Sequence, residues 1–356
     1  MTKGLLVAAV SAAVLLSAPQ GALAATAQPL SPADLAVPAA FTTTPDGGSI
    51  LYGERFTGSI KRLNPTTGTS TPFFTIPNVT SADEKGLLGL ALDPRYPSDA
   101  RVWAFVTRDV SGTARNQLLR ISADGSGFAV LRSFTATRFH NGGRILFGPD
   151  GKLYVVLGER HNAALAQDLS TMAGKVLRLN PDGTVPSNNP VEGSPIIGYG
   201  IRNSFGFTFD PQQGRLWLTD NGDDCNDEID LIARRTLRNY GWGPSASCTS
   251  PPPAPRNTNQ DGESPVLPKF FLPASEGITG AAFCRACGLT SSGGQLFFAE
   301  FNTGIIHRAR LTSDRLGIAS QALFYDHPDF VFSVETPRDG GPIYFSTRTN
   351  IFRLDP

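Results

Sequence analysis

His140 stands near the start of "FHNGGRILFGPDGKLYVVLGE" (139 to 159) and is one of only four histidines in the chain. A neutral imidazole can take a proton from a hydroxyl group, because its ordinary pKa lies near working pH. Gly142 and Gly143 follow and would let a substrate approach the backbone closely. A single histidine at such a place is more often a polar residue that caps a strand edge. The residue type alone therefore leaves open whether His140 is a catalytic base.

Arg202 and Asn203 lie in "GYGIRNSFGFTFDP" (198 to 211), directly before an apolar segment with the pattern of a strand. Arginine offers a planar fork of donors that suits carboxylates, and the asparagine amide offers both a donor and an acceptor. Such a pair at the entrance of a strand, with glycines nearby, is a candidate anion-binding site. The alternative interpretation is a surface arginine beside a turn asparagine.

The segment "TDNGDDCNDEIDLI" (219 to 232) carries five Asp and one Glu around Gly222. Dense oxygen ligands around a glycine suit a hard cation such as Ca²⁺, and backbone carbonyls often complete such a site. The spacing does not match an EF-hand loop, which needs alternating acids and a Glu at its twelfth position. A solvated acidic turn is the alternative, so the segment by itself supports calcium binding and a solvated turn about equally.

Secondary-structure elements must position any such residues, and a pattern that predicts these elements recurs along the chain. An apolar segment, a turn rich in Asp, Asn, Pro and Gly, and a partly alternating strand are found six times. Turns such as "PDG" and "PQQG" are typical of antiparallel strands, and a period of roughly 40 to 50 residues is typical of propeller blades. We predict an all-β fold, a six-bladed β-propeller whose loops form a shared cup at one end; a β-sandwich or two β-domains is the alternative. The repeats span residues 47–68, 86–125, 143–183, 204–232, 294–314 and 340–356.

The composition is 40% hydrophobic and 17% charged with a formal net charge of zero, which supports a large core. It gives no electrostatic basis for binding nucleic acid or an anionic membrane surface. Residues 1–24 combine an early lysine, a short apolar stretch and an Ala22-Leu23-Ala24 ending, which predicts a secretory signal peptide. We expect an extended N-terminal segment at 25–40 and a single propeller domain at 41–356. The mature protein would be secreted or periplasmic, with no membrane span after signal cleavage.

The four cysteines are even in number, and in an exported chain this predicts two disulfides. The sequence does not determine which of the three possible pairings forms. We favour Cys225 with Cys248 and Cys284 with Cys287. A four-cysteine zinc site is the less favoured alternative.

Several long segments resemble, in the family's order, the glucose/sorbosone dehydrogenase family, which comprises quinoprotein aldose sugar dehydrogenases. The segments are "EKGLLGLALDP" (84 to 94), "HNGGRILFGPDGKLYVVLGE" (140 to 159), "AQDLSTMAGKVLRLNPDGTVPSNNP" (166 to 190), "GIRNSFGFTFDP" (200 to 211), "NGDDCNDEIDLI" (221 to 232) and "NYGWG" (239 to 243). The resemblance runs from about residue 40 to the end and is dense between 84 and 243.

The resemblance implies a six-bladed propeller that oxidises the C1 hydroxyl of an aldose to a lactone and passes the electrons to pyrroloquinoline quinone (PQQ), bound above Ca²⁺. A small-molecule sugar and an electron acceptor, neither identified by the sequence, would be the partners. By residue, the resemblance implies that His140 is the general base and that Arg202 lies near the reactive quinone oxygens. Asn203 would contact the cofactor, and the backbone carbonyls of Gly222 and Asp223 would hold the Ca²⁺ ion.

The chain also departs from the family pattern at positions expected near the cofactor. Asn302 stands where glucose-oxidising members have a lysine, and the segment 327–335 lacks their paired arginines. Phe205 replaces a glutamine, Glu84 lies near another glutamine position, and Asp223 replaces a proline of the calcium loop. An anionic cofactor would lose positive partners, so weaker, rearranged or absent PQQ binding is expected. The alternative function is a non-catalytic propeller of the same family that binds carbohydrate or a protein partner. A lactonase is less favoured, because the acids are concentrated in one loop.

Overall fold

Short β-strands joined by tight turns make up most of the computed structural model, which describes residues 25–245 and 261–356. In "GPDGK" the turn residue Gly151 has a φ of +68°, and its N–H donates to the carbonyl of Gly148 at 2.9 Å. Glycine adopts this left-handed conformation without the strain that a side chain would add. The turn chemistry of the repeats therefore reverses the chain where the sequence predicts.

In the described residues the strands group into six sheets, each a blade whose consecutive strands pair antiparallel; one additional short strand pairs in parallel at the edge of the third blade. In chain order, β1 (Thr26–Pro29) precedes the first blade, β2 (Ala40–Thr43), β3 (Ile50–Gly53), β4 (Ser59–Leu63) and β5 (Ser70–Thr75). The second blade is β6 (Leu87–Leu92), β7 (Val102–Val110), β8 (Thr113–Ile121) and β9 (Phe128–Thr135). The third is β10 (Ile145–Phe147), β11 (Leu153–Leu157), β12 (Lys175–Leu179) and β13 (Ile196–Tyr199), with the short helix α1 (Ala164–Gln167) before β12.

The fourth blade is β14 (Gly206–Phe209), β15 (Leu216–Asp220), β16 (Cys225–Ile232) and β18 (Phe270–Ala274), while β17 (Arg238–Asn239) pairs with β13 of the third blade. The fifth blade is β19 (Ile278–Phe283), β20 (Leu296–Glu300), β21 (Ile305–Leu311) and β22 (Ile318–Asp326). The sixth is β23 (Ser333–Glu335), β24 (Tyr344–Ser346) and β25 (Ile351–Asp355). The prediction of an all-β, six-bladed propeller is confirmed.

The ring is closed by strand β1, which becomes the outer strand of the sixth blade. Its register with β25 runs from Thr26 opposite Asp355 to Pro29 opposite Phe352. The N-terminal segment 25–40 thus contributes a strand to the propeller. The two ends of the propeller are joined in one sheet, so the N-terminal residues supply the fourth strand of blade six.

The inner strands of the blades pack closely around the central axis. A Cβ atom placed on Gly206 would lie 2.9 Å from Cα of Gly280, and one on Gly280 would lie 2.3 Å from the backbone nitrogen of Val334. Real side chains do not come this close, so these positions require glycine. Apolar residues fill the layers between neighbouring blades, as where Leu51 and Leu90 pack with Ala104. This packing brings the loops that precede each inner strand to one end of the axis.

The predicted Cys284–Cys287 disulfide is present. The predicted Cys225–Cys248 pair includes a residue that lies outside the described residues, as does the predicted signal peptide 1–24. Among residues 25–245 and 261–356, no helix is long and apolar enough to cross a membrane.

Candidate functional site

A cavity of about 360 Å³, which we call the site cavity, lies at one end of the propeller axis. It brings together side chains or backbone from all six residues singled out in the sequence. They are His140, Arg202, Asn203, Gly222, Asp223 and Asn302. Four different loops carry them, each leading into or out of a blade strand. Residues separated by as many as 162 positions therefore share one chamber.

His140 is 6% exposed and is held by a buried carboxylate. Its Nδ1 lies 2.6 Å from Oε1 of Glu159, which is 2% exposed. A carboxylate can only accept at this contact, so the neutral imidazole carries its proton on Nδ1 and has its lone pair on Nε2. Among the described residues Nε2 has no hydrogen-bond partner, while the imidazole lines the site cavity. His140 is therefore oriented as a base that faces the cavity.

The backbone of His140 is fixed in an unusual conformation. Its φ is +55°, a region that few residues other than glycine adopt. Its N–H donates to Oε2 of Glu84 at 2.6 Å, and its carbonyl accepts from the N–H of Arg160 at 3.1 Å. A Cβ on the neighbouring Gly142 would lie 2.7 Å from the nitrogen of Gly158. The surrounding structure thus compensates for a strained backbone at His140.

Arg202 and Asn203 are held by one carboxylate behind them. Asp220, 2% exposed, accepts from the backbone N–H of Arg202 at 2.8 Å and from that of Asn203 at 2.7 Å. Burial raises the pKa of Asp220 to about 7, although these two N–H groups act in the opposite direction. Asp220 lies at the end of β15, so the sheet itself sets the position of the pair.

The side chains of Arg202 and Asn203 each contain a buried polar atom without a hydrogen-bond partner among the described residues. Nη2 of Arg202 donates to Oδ1 of Asp223 at 2.7 Å and Nη1 donates to the carbonyl of Asn221 at 3.3 Å. Nε of Arg202 is buried with no partner among the described residues, as are Oδ1 of Asn203 and Oδ1 of Asn221. Unpaired buried polar atoms are rare in native proteins. Several of them beside one cavity indicate a ligand that would pair with them.

The loop that follows β15 is shaped by a second buried carboxylate. Asp227 accepts from the N–H of Gly222 at 2.8 Å and from the N–H of Gly277 at 2.6 Å. The carbonyl of Gly222 accepts from the Ser275 hydroxyl at 3.2 Å. A Cβ at Gly222 would lie 1.7 Å from the carbonyl oxygen of Cys225, so the position requires glycine. In the described part of the chain no three His, Cys, Asp or Glu side chains converge to hold a metal ion.

The site cavity is lined by three arginines, and two of them did not emerge from the sequence reading. Arg55 donates from Nε to the carbonyl of Lys85 at 3.1 Å and from its terminal nitrogen to that of Asp83. Arg144, 6% exposed, lies deeper in the cavity. Burial lowers the pKa of both guanidinium groups, and nearby carboxylates oppose this. The site cavity thus contains cations from other blades, although Asn302 and the segment 327–335 supply none of the expected ones.

Asn302 lies exposed at the rim of the site cavity, in the turn between β20 and β21. Its backbone N–H donates to the carbonyl of Glu276 at 3.0 Å. Below it, Phe301 contacts Phe332 with ring centroids 5.2 Å apart. Together with Phe205 these rings form an apolar wall. A flat aromatic ligand could pack against this wall, while the guanidinium groups contact its charged edge.

Two residues that the sequence reading missed had recognisable signals. Glu159 ends the motif that His140 begins, two residues after a strand that is buried throughout. An acid at that place is expensive to bury without a partner. Arg144 is the one charged residue in the otherwise apolar "GGRILF". Both could have been suspected as buried charges, although their partners could not have been named.

Known proteins resemble this chain over most of its length. The family model for glucose/sorbosone dehydrogenase matches residues 35–353. The aldose sugar dehydrogenase YliI of Escherichia coli is 30% identical over 266 residues, which cover 69% of this chain and 70% of the relative. Quinoprotein glucose dehydrogenase B of Acinetobacter calcoaceticus is 30% identical over 248 residues, which cover 58% of this chain and 50% of that protein.

A solved structure agrees with the sequence relatives. It is the PQQ-bound form of the aldose sugar dehydrogenase of Streptomyces coelicolor. It superimposes with a TM-score of 0.78 at 26% identity and covers 93% of this chain and 98% of its own. The family model, the sequence relatives and this structure agree on the family and on the fold. The chain belongs to the glucose/sorbosone dehydrogenase family.

Proposed function

We propose that this protein is an exported PQQ-dependent dehydrogenase that oxidises the C1 hydroxyl of an aldose to a lactone. The observation that carries the proposal is the buried contact between His140 and Glu159, which leaves Nε2 without a partner toward a cavity lined by three arginines. A base beside a cationic chamber suits proton abstraction from a neutral sugar next to an anionic oxidant. Membership of the family and the PQQ-bound relative support it.

His140 takes the proton of the C1 hydroxyl on Nε2, and Glu159 stabilises the imidazolium that results. PQQ, when bound, supplies the two-electron oxidant that accepts the C1 hydride. Loss of one proton and one hydride turns C1 into the lactone carbonyl, so the reaction is balanced without water. The guanidinium of Arg202 would stabilise negative charge that develops on the oxygens of the oxidant.

The residues present fit an anionic, planar cofactor. PQQ has three carboxyl groups on a flat ring system, and carboxylates pair well with guanidinium forks. Arg55, Arg144 and Arg202 line the cavity, and Nη1 of Arg144 and Nε of Arg202 are buried without partners. Asn203, whose Oδ1 is also unpaired, and Asn302 at the rim would contribute cofactor contacts. The alternative function, a non-catalytic propeller, rests on a shortage of cations near the cofactor. The three arginines that line the cavity supply such cations, so they argue against this alternative.

Calcium belongs to the same proposal. Ca²⁺ prefers oxygen ligands, including backbone carbonyls. The loop at Gly222 and Asp223 would supply carbonyl oxygens, as the family resemblance implies, and the unpaired Oδ1 of Asn221 lies beside them. The ion would complement the negative charge of the cofactor and polarise it. Since few acidic side chains converge there, affinity would depend on the cofactor as a further ligand.

Reconstitution tests the proposed function. The purified protein is mixed with PQQ and Ca²⁺, desalted, and assayed for reduction of an artificial electron acceptor with a panel of aldoses. We expect quinone absorbance to remain with the protein and at least one aldose to be oxidised. If the protein retains no quinone and oxidises no sugar in the panel, the proposal is wrong. The preferred sugar would follow from the same assay.

A further inference from the structure

The side chain of Arg144 crosses the propeller axis. It begins just before β10 in the third blade, and its donors reach three other blades. Nε donates to the carbonyl of Phe205 at 2.8 Å, and Nη2 donates to the carbonyls of Phe332 at 3.1 Å and Thr279 at 3.4 Å. The remaining nitrogen, Nη1, is buried without a partner among the described residues. The direct hydrogen-bond partners of this guanidinium are therefore neutral carbonyl groups.

A second cavity, of about 500 Å³, opens at the other end of the axis and is lined by residues from all six blades. Glu335, at the end of β23, is one of them. Neither Glu335 nor Arg144 makes an ion pair within 4 Å in the described part of the chain. The two charges nevertheless act on each other, since each shifts the pKa of the other toward its charged form. Arg144 faces the site cavity and Glu335 faces the opposite one.

Two other carboxylates at the opposite cavity are already paired with arginines. Asp210 forms a two-bonded pair with Arg315, at 2.6 and 2.8 Å. Asp93 accepts from Arg95 at 2.9 Å. Glu335 is thus the carboxylate at the opposite cavity whose charge interacts with that of Arg144. Charges separated by protein rather than water interact over several ångströms, because the intervening medium screens them weakly.

We propose that Arg144 supplies the positive charge at the floor of the site cavity that holds a polycarboxylate ligand, and that Glu335 weakens this attraction from the opposite side. The inference rests on the proposed function, in which the ligand is PQQ. Arg144 belongs neither to the proposed base, nor to the Arg202–Asn203 pair, nor to the calcium loop, and the inference gives it a role in binding the ligand. It also explains how a chain with Asn302 and no arginine pair at 327–335 could still bind a tri-anion.

The test is equilibrium binding of PQQ, without sugar and without turnover, at about pH 8, where the Glu335 carboxyl is largely ionised. Arg144→Met should raise the Kd for PQQ about tenfold or more, which corresponds to about 1.4 kcal/mol. Glu335→Gln keeps the size and removes the opposing charge, so it should lower the Kd by about threefold. Arg310→Met removes the same charge from an exposed position on β21 and should leave the Kd unchanged.

The outcomes separate the two proposals. If the unaltered protein binds no PQQ, both the proposed function and this inference fail. If it binds PQQ but Arg144→Met binds equally well, the inference alone is wrong. Because Arg144 links blades, Arg144→Met could fail to fold, and circular dichroism would reveal this. The Glu335→Gln arm then decides, since an unchanged or higher Kd contradicts the inference.

Discussion

The carboxylate of Glu159 lies 2.6 Å from Nδ1 of His140. Glu159 is itself held in place by Arg202, because the backbone N–H of Glu159 donates to the carbonyl of Arg202 at 2.8 Å. The proposed base, its carboxylate and the candidate cofactor arginine are thus linked through two short contacts. Movement of one would displace the others. This link explains why three sequence segments that are far apart must fold together before the site exists.

Glu159→Gln should lower kcat by up to about four orders of magnitude, the loss found for the same carboxylate-to-amide change in the serine protease triad. The amide can donate to Nδ1 and so favour the tautomer in which Nε2 carries the proton and cannot act as a base. Steady-state kinetics on the reconstituted protein would measure the effect. The melting temperature and PQQ affinity serve as controls for folding. An unchanged kcat would show that Glu159 does not set the state of His140.

Asn302→Lys should tighten PQQ binding about tenfold. Asn302 lies exposed at the rim of the site cavity, so a lysine there can reach an anionic ligand without burying its charge. Asn302→Gln is the matched control, because it lengthens the side chain without a charge. PQQ titrations of the three proteins make the comparison. Equal affinities would mean that this turn lies away from the carboxyl groups of the cofactor.

Asp220→Ala should destabilise the fold and misplace the Arg202–Asn203 pair. It would leave two buried N–H donors without acceptors, at about 1–3 kcal/mol for each unsatisfied group. Urea unfolding would measure the loss of stability, and PQQ titration the loss of affinity. Asp220→Asn keeps one acceptor oxygen, so its stability and its PQQ affinity should lie between those of the unaltered protein and those of Asp220→Ala. A variant with native stability and native affinity would contradict the role assigned to Asp220.

Glu335 should make the stability of the protein depend on pH. Burial raises its pKa to about 7, and the charge of Arg144 opposes part of this rise. The folded state therefore binds this proton more tightly than the unfolded chain, in which a glutamate has a pKa of about 4.3. The free energy of unfolding should fall as pH rises from about 4.3 to 7, by at most about 1.4 kcal/mol per pH unit from this group.

Glu335→Gln should remove that part of the slope, as measured by urea unfolding at a series of pH values. The charged residues Arg285, Arg338, Asp93 and Asp210 line the opposite cavity together with Glu335 and are unchanged in the variant. A variant with the same slope as the unaltered protein would show that Glu335 does not titrate in this range.

The fold could be predicted from local patterns because each blade repeats the same turns and alternating strands. The N-terminal strand β1 was not predicted, since its pairing with β25 joins residues more than 320 positions apart. The candidate site residues His140, Arg202 and Gly222 could be located by motif and family resemblance. Arg144 could be suspected only as a buried charge, because its contacts with the carbonyls of three other blades arise from the fold. A sequence pattern does not predict which backbone carbonyls a side chain will contact in the folded protein.

The most direct test of the account is a single-turnover experiment. Protein loaded with PQQ and Ca²⁺ is mixed without oxygen with an aldose that it oxidises, and reduction of the quinone is followed by absorbance. We predict rapid reduction by the unaltered protein. His140→Ala should bind PQQ with similar affinity but reduce it at least about a hundredfold more slowly, within the range of general-base catalysis. If His140→Ala reduces the quinone as fast as the unaltered protein, His140 is not the base and the central claim is wrong.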